Sequence, residues 1–263
     1  MTGMYPPVTD LSDIRILISN DDGIGAPGIK VLEKIARLLS NDVWVVAPET
    51  EQSAAGHSLT IRRPLRIRKV SRRRFAVDGT PTDAVLLGIN HVLKGRKPDL
   101  VLSGINRGAN MGDDVTYSGT VAAAMEATIL GVPSIAFSQF FHPGHVPRWS
   151  TAENWGAEII RRVCAVGWQR NVLINVNFPD VPHTHVCGIE VTRQGKRKIG
   201  DELLLRDDPR GEPYVWIGAQ RAEETSVPGT DIEAVLRGAV SVTPLCVDLT
   251  HHQTAQALAQ AWG

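Results

Sequence analysis

Two adjacent carboxylates, Asp21 and Asp22, follow directly on an apolar run, Ile14 to Ser19, and precede the turn Gly23-Ile24-Gly25-Ala26-Pro27-Gly28. A short apolar run reads as a buried strand, and open α/β sheets bind ligands at the carboxyl ends of their strands. Two negative charges at one strand tip repel each other, by roughly 4 kcal/mol per close pair at an effective dielectric of 20. A hard divalent cation between them reverses the sign, because Mg²⁺ takes one or two carboxylates and completes its shell with neutral oxygens and water. The competing role for the pair is to cap the helix that begins near Gly28. A cap needs one such side chain, not two ahead of a glycine turn.

The glycines suggest a rival chemistry. Gly23, Gly25 and Gly28 match G-x-G-x-x-G at a strand-to-helix junction, and Glu49 follows about 20 residues on, as in a dinucleotide-binding oxidoreductase. Such a loop offers bare N–H groups to a pyrophosphate. Here two carboxylates would face that anion, which disfavours the dinucleotide. A noncatalytic nucleotide sensor is the other alternative, and release of phosphate separates it from an enzyme.

Two further loops should reach the same sheet edge. The first, Ala47 to Ser58, contains Ser53, a neutral oxygen ligand, and His57, a group able to transfer protons. The second runs from Ser103 to Asp114 and on to Ser118-Gly119-Thr120. Glycines at 104, 108 and 112 let its backbone lie close to a ligand. Asn106 and Asn110 add amide groups, Asn110 to orient a phosphate, and Asp113 and Asp114 read as loop-shaping residues. Ser118, Gly119 and Thr120 open an Ala-rich helix whose free N–H groups and positive dipole end suit phosphate. Oxygen ligands beside an anion cradle are the equipment of phosphoryl transfer, where positioning and charge neutralisation do most of the work. In that scheme Asp21 and Asp22 are the catalytic carboxylates. Asp21 could serve as ligand or as nucleophile, and Asp22 or His57 as general base.

The elements that must position these loops alternate along the chain as strands (Ile14–Ser19, Asp42–Ala47, Asp99–Ser103, Ser134–Ser138, Asn171–Asn177) and helices (Gly28–Ser40, Thr80–Leu93, Ser118–Leu130, Thr151–Trp168). That alternation predicts a Rossmann-like α/β fold with a mostly parallel sheet flanked by helices. After Pro179 the texture shifts to short β-prone pieces (Gly188–Thr192, Tyr214–Ile217, Ala239–Thr243) around a charged stretch, and a final amphipathic helix is expected over His251–Trp262. The expected organisation is a flexible extension over 1–13, a catalytic core over 14–180, and a smaller β-rich appendage over 181–263 within the same domain.

The motifs SNDDGIGAPGI, APETEQSAAGHSLT, GTPTDAV, PDLVLSGINRGANMGDDVTYSGTVAAAMEA and GVPSIAFS resemble the stationary-phase survival protein SurE family of nucleotidases. The likeness continues through NVNFP, GIEVTRQGKR and TDIEAVLRGAVSVTPLCVDLT, and so spans nearly everything after Asp13. The resemblance implies hydrolysis of nucleoside 5′- and 3′-monophosphates with one Mg²⁺ or Mn²⁺, and in some members trimming of short polyphosphate. It maps the metal ligands onto Asp21, Asp22, Ser53 and Asn106, and the phosphate-binding turn onto Ser118, Gly119 and Thr120. It also implies a homodimer or homotetramer in which C-terminal segments exchange.

Composition narrows the partners. The 28 basic and 28 acidic side chains cancel, whereas affinity for a nucleic-acid polymer comes from excess Lys and Arg. No stretch approaches the roughly 20 apolar residues that span a bilayer. Three scattered cysteines, Cys164, Cys187 and Cys246, fit a reducing, cytoplasmic compartment. Arg62 to Arg74 holds eight basic residues, read as a solvated hairpin face in preference to a landing strip for polyanions. The His142/His145, His183/His185 and His251/His252 pairs lack the acidic or cysteine partners of a zinc centre.

Overall fold

The computed structural model describes residues 3–199, 203–217, 221–223, 225 and 227–263. Nine strands build the main sheet: β1 (Arg15–Ser19), β2 (Asp42–Pro48), β3 (Ile67–Ser71), β4 (Arg74–Val77), β5 (Leu100–Arg107), β6 (Ser134–Gln139), β7 (Val172–Phe178), β8 (Ile189–Val191) and β9 (Val240–Cys246). Their spatial order is β8-β9-β7-β6-β5-β1-β2-β4-β3. The six strands from β7 to β4 are all parallel. Only β3 against β4 and β9 against β7 run antiparallel.

Alternation along β1 shows how the layers form. Ile16 and Ile18 face one core with Ile29, Leu32 and Ile35 of α1 (Pro27–Arg37) and with Ala152, Ile159 and Ile160 of α4 (Trp149–Val166). Leu17 faces the other with Ala84 and Val85 of α2 (Pro81–Leu87) and Ala123 and Ala127 of α3 (Gly119–Ile129). A sheet covered on both faces requires near-continuous apolar strands, which is what the sequence shows. Helix α3 has nine buried residues out of eleven, so its alanines let it sit deep against the sheet. The helix expected over Thr80–Leu93 is α2 followed by a wider turn, Gly88–Val92, where Gly88 lies against Leu17 and Val46.

Two departures concern the chain ends. The head expected as a flexible extension docks: Met4–Tyr5 pairs with Trp168–Gln169, Val8 donates to the Cys164 carbonyl at 2.8 Å, and Tyr5 and Leu11 are buried. After residue 180 the chain returns to the main sheet through β8 and β9, joined by α5 (Asp231–Leu236). Outside that sheet, Arg197–Ile199 pairs with Arg221–Glu223, and Leu203–Asp207 forms a hairpin with Pro213–Ile217 whose Leu205, Trp216 and Ile217 are exposed. Helix α6 (His252–Trp262) buries none of its residues here. Among the described residues no helix is long and apolar enough to cross a membrane.

Candidate active site

From β1 the chain steps outward on one side to β2 and β4, and on the other to β5, β6 and β7. That reversal opens a crevice at the carboxyl ends of β1 and β5, the general ligand position of such sheets. Asp21 and Asp22 leave β1 at this point, and Asn106 and Arg107 end β5.

Asp21 is 4% exposed. Its Oδ1 accepts a hydrogen bond from Thr120 Oγ1, and a Cβ placed on Gly119 would stand 2.7 Å from Asp21 Cβ. The start of α3 is therefore pressed onto the carboxylate. Ser118 caps that helix, its Oγ accepting from Val121 N at 3.0 Å. Burial, outweighing the Thr120 hydrogen bond and aided by the neighbouring Asp22 charge, pushes the Asp21 carboxyl up to about 6. Burial and the Glu51 charge also raise Asp22, against the opposing hydrogen bond from Arg107 N, which reaches its Oδ2 at 3.0 Å.

Neither carboxylate caps α1, whose N-cap is Ala26 without a side-chain bond. The glycines of the dinucleotide-like motif have packing roles instead. A Cβ on Gly28 would collide with the Ile105 carbonyl at 1.9 Å, so this glycine lets α1 touch the end of β5. Gly23 sits at φ +94°, against the Thr50 backbone. Glu49 is paired with Arg68 at 2.6 Å.

The other predicted residues divide into braced and loose. Asn106 is half-buried and its Nδ2 donates to the Gly108 carbonyl at 3.0 Å, leaving its amide oxygen outside that bond. Asn110, expected to orient phosphate, turns its amide nitrogen to Ser138 Oγ at 2.8 Å, and its backbone is held by Asn175 and Asn177. It braces the loop in this structure. Ser53 is exposed and donates to Glu51 Oε1 at 2.8 Å rather than toward the aspartates. Its loop is nevertheless fixed beside them, since Gln52 N donates to the Asp21 carbonyl at 2.8 Å. His57 donates from Nε2 to Glu126 Oε2 at 2.9 Å, some two turns along α3 from Ser118, or about 12 Å of helix. The ring that stood as a candidate general base is thus engaged with α3 in this structure. Asp114 pairs with Arg197 at 3.0 Å, both 3% exposed, which agrees with a loop-shaping role.

Sequence reasoning missed Glu51 and Arg107. Both were inside the quoted loops, and their charges were the available signal. Arg62 to Arg74 also resolves: Arg63 and Arg66 face Asp78, Arg68 faces Glu49, Arg73 faces Asp42 and Arg74 faces Glu33. Acidic partners thus neutralise much of that basic run.

The donor set suits a hard cation. Asp21 and Asp22 could supply carboxylate oxygens and Asn106 an amide oxygen, and Ser53 could add a hydroxyl on leaving Glu51. Nearby, Ser19 Oγ, Asn20 Oδ1 and Ser103 Oγ are buried without hydrogen-bond partners. Among the described residues no group of three or more His, Cys, Asp or Glu converges. A cation here would rely on two carboxylates and neutral oxygens, the pattern of Mg²⁺ or Mn²⁺.

These features define a Rossmann-like α/β protein with paired carboxylates at its switch point, one of which, Asp21, meets a helix N-terminus. The chain belongs to the survival protein SurE family, whose model matches residues 16–201. It is 75% identical to the 5′-nucleotidase SurE of Paramagnetospirillum magneticum, across 98% of this chain and 99% of the relative. It is 58% identical to the 5′-nucleotidase SurE of Rhodospirillum rubrum, across 98% of this chain and all of that one. The crystal structure of the SurE protein from Aquifex aeolicus superposes with a TM-score of 0.82 at 42% identity, covering 95% of this chain and 100% of that one.

Proposed function

We infer that this chain is a phosphomonoester hydrolase, a nucleotidase releasing phosphate from nucleoside 5′- and 3′-monophosphates. One observation carries the reading: adjacent carboxylates, the buried Asp21 pressed against the N-terminus of a core helix and the half-buried Asp22 beside it, a setting that suits a cation and an anion together. Asp21, Asp22, Asn106 and Ser53 are the ligands proposed for one Mg²⁺ or Mn²⁺. A bound cation would supply electrostatic stabilisation to the phosphoryl oxygens and to the attacking and leaving groups.

The chain's own residues do the rest. The N–H groups opening α3 at Gly119 and Thr120, capped by Ser118, hold the phosphate and absorb its developing charge. Thr120 fixes the Asp21 side chain, and Asn110 fixes the loop that delivers Asn106. Asp22, half-buried and with Oδ1 outside the Arg107 bond, accepts the proton of the attacking water. The water oxygen bonds to phosphorus, the P–O ester bond breaks, and that proton passes to the departing ribose oxygen.

Short polyphosphate would use the same cradle. The exposed hairpin and α6 are apolar surfaces suited to a homodimer or homotetramer, and three free cysteines fit the cytoplasm. Incubation with AMP and Mn²⁺, with and without EDTA, tests the reading: phosphate release that the chelator abolishes is expected. Nucleotide bound but left intact would point to a sensor and overturn it.

A further inference from the structure

The rim of the crevice beside β6 differs from the rim beside β2. Arg107, the last residue of β5, pairs in register with Gln139, the last of β6, and Gly108 N donates to the Gln139 carbonyl at 3.1 Å. The chain leaving β6 therefore starts next to Arg107, and it starts with rings: Phe140-Phe141-His142. The Arg107 guanidinium lies over Phe141, 5.7 Å from the ring centroid. Phe140 meets His142 edge-on at 4.9 Å, and His142 meets His145 at 5.8 Å. Asp180, with its side chain 1% exposed, pins this loop, accepting from His142 N at 3.1 Å, His145 Nδ1 at 2.8 Å and Arg148 Nε at 3.0 Å. The β2 rim, Glu49 to Ser58, has no ring except His57, which is turned to Glu126.

We propose that Phe141 and Arg107 form the nucleoside subsite, with the base of a nucleoside monophosphate stacked on the Phe141 ring. The inference rests on the nucleotidase reading above. Arg107 N sits 3.0 Å from Asp22 Oδ2 while its guanidinium reaches the Phe141 ring, so this one residue links the proposed reaction centre to the aromatic rim. The guanidinium is exposed, and its N–H groups donate to no described residue. A guanidinium resting on a ring keeps its edge donors available, here for ribose or base oxygens. Stacking on an aromatic face is tolerant of base identity because every base has a π-face. The subsite thus favours nucleotides over simple phosphate esters and discriminates weakly among bases.

The test compares AMP with ribose 5-phosphate, which has the same phosphate and sugar but no base. In the intact protein with Mn²⁺, the ratio of kcat/KM for AMP over ribose 5-phosphate should fall about tenfold in Phe141→Leu and be retained in Phe141→Trp, which keeps an aromatic face. Calorimetric titration of AMP into the same proteins gives a readout independent of turnover, with Phe141→Leu expected to bind about tenfold more weakly. An unchanged ratio and unchanged AMP affinity in Phe141→Leu would overturn the subsite and direct attention to Tyr117, the exposed ring preceding Ser118. Equal losses for both substrates would also overturn it, since that pattern marks a structural role. If neither ester is hydrolysed yet AMP affinity depends on the Phe141 ring, the hydrolase reading fails while the subsite stands.

Discussion

The two loops proposed to bring neutral oxygens to the carboxylates are built differently. The loop after β5 is held from below at nearly every step. Asn175 and Asn177 bind the Asn110 backbone, the buried Asp231 accepts from Gly112 N at 2.9 Å and Gly195 N at 2.8 Å, and Asp114 meets Arg197. The loop after β2 lies exposed, tied by Gln52 N to Asp21, by Gly56 N to Tyr117 and by His57 to Glu126. One loop is preorganised, so the proposed ligand Asn106 and the proposed phosphate cradle would stand ready before substrate arrives. The other delivers Ser53 from a surface where its hydroxyl already has a partner, Glu51. Catalytic effect should follow bracing, because a preorganised dipole needs no reorganisation at the moment of reaction.

This contrast can be broken or sharpened by a graded series. Asp22→Ala should lower kcat/KM for AMP on the order of a thousandfold while the thermal unfolding midpoint stays close to that of the parent. Gly119→Ala should cost about a hundredfold in the same assay, because its methyl carbon would displace Asp21 from the α3 terminus. Asp231→Ala should lower unfolding stability by about 3 kcal/mol in urea titration, since it strands buried N–H donors under the braced loop. Ser53→Ala should reduce kcat/KM only about threefold. A loss from Ser53→Ala as large as that from Gly119→Ala would erase the distinction between the loops.

The smallest effect concerns acid. Burial pushes Asp180 upward, but the His142, His145 and Arg148 partners outweigh it and hold the carboxyl below its usual range. A depressed carboxyl stabilises the fold above its unfolded-state value, and that contribution is lost as pH falls through the folded value. Hydrogen exchange in the 140–148 loop should therefore quicken only below the ordinary carboxylate range. Loosening near neutrality would show that Asp180 does not pin it.

What the sequence made legible follows the range of the physics involved. The parallel core was readable because burial on both faces leaves its mark on local runs such as Arg15–Ser19 and Val172–Phe178. Asp21, Asp22 and the α3 start were readable because adjacent charges and a capped helix terminus are local patterns. The partners of those groups were not. Nothing near Asn110 in the chain announces Asn175 or Asn177, and nothing near His57 announces Glu126, sixty-nine residues away. The docked head was missed for the same reason: Tyr5 and Leu11 are isolated apolar residues in a segment held by the distant end of α4 and by Trp168 just beyond it. The third glycine of the dinucleotide-like motif was ambiguous by itself, because a close helix–strand contact and a phosphate loop ask for the same residue, and the adjacent carboxylates decided against the dinucleotide.

The central claim is that Asp21 and Asp22 together hold one divalent cation in front of α3. Titrating the protein with Mn²⁺ and following the free ion by electron paramagnetic resonance tests it without any substrate. One ion bound per chain, with that binding lost in Asp22→Asn at an unchanged unfolding midpoint, is the predicted result. Undiminished Mn²⁺ binding in Asp22→Asn, or none in the parent protein, would contradict it.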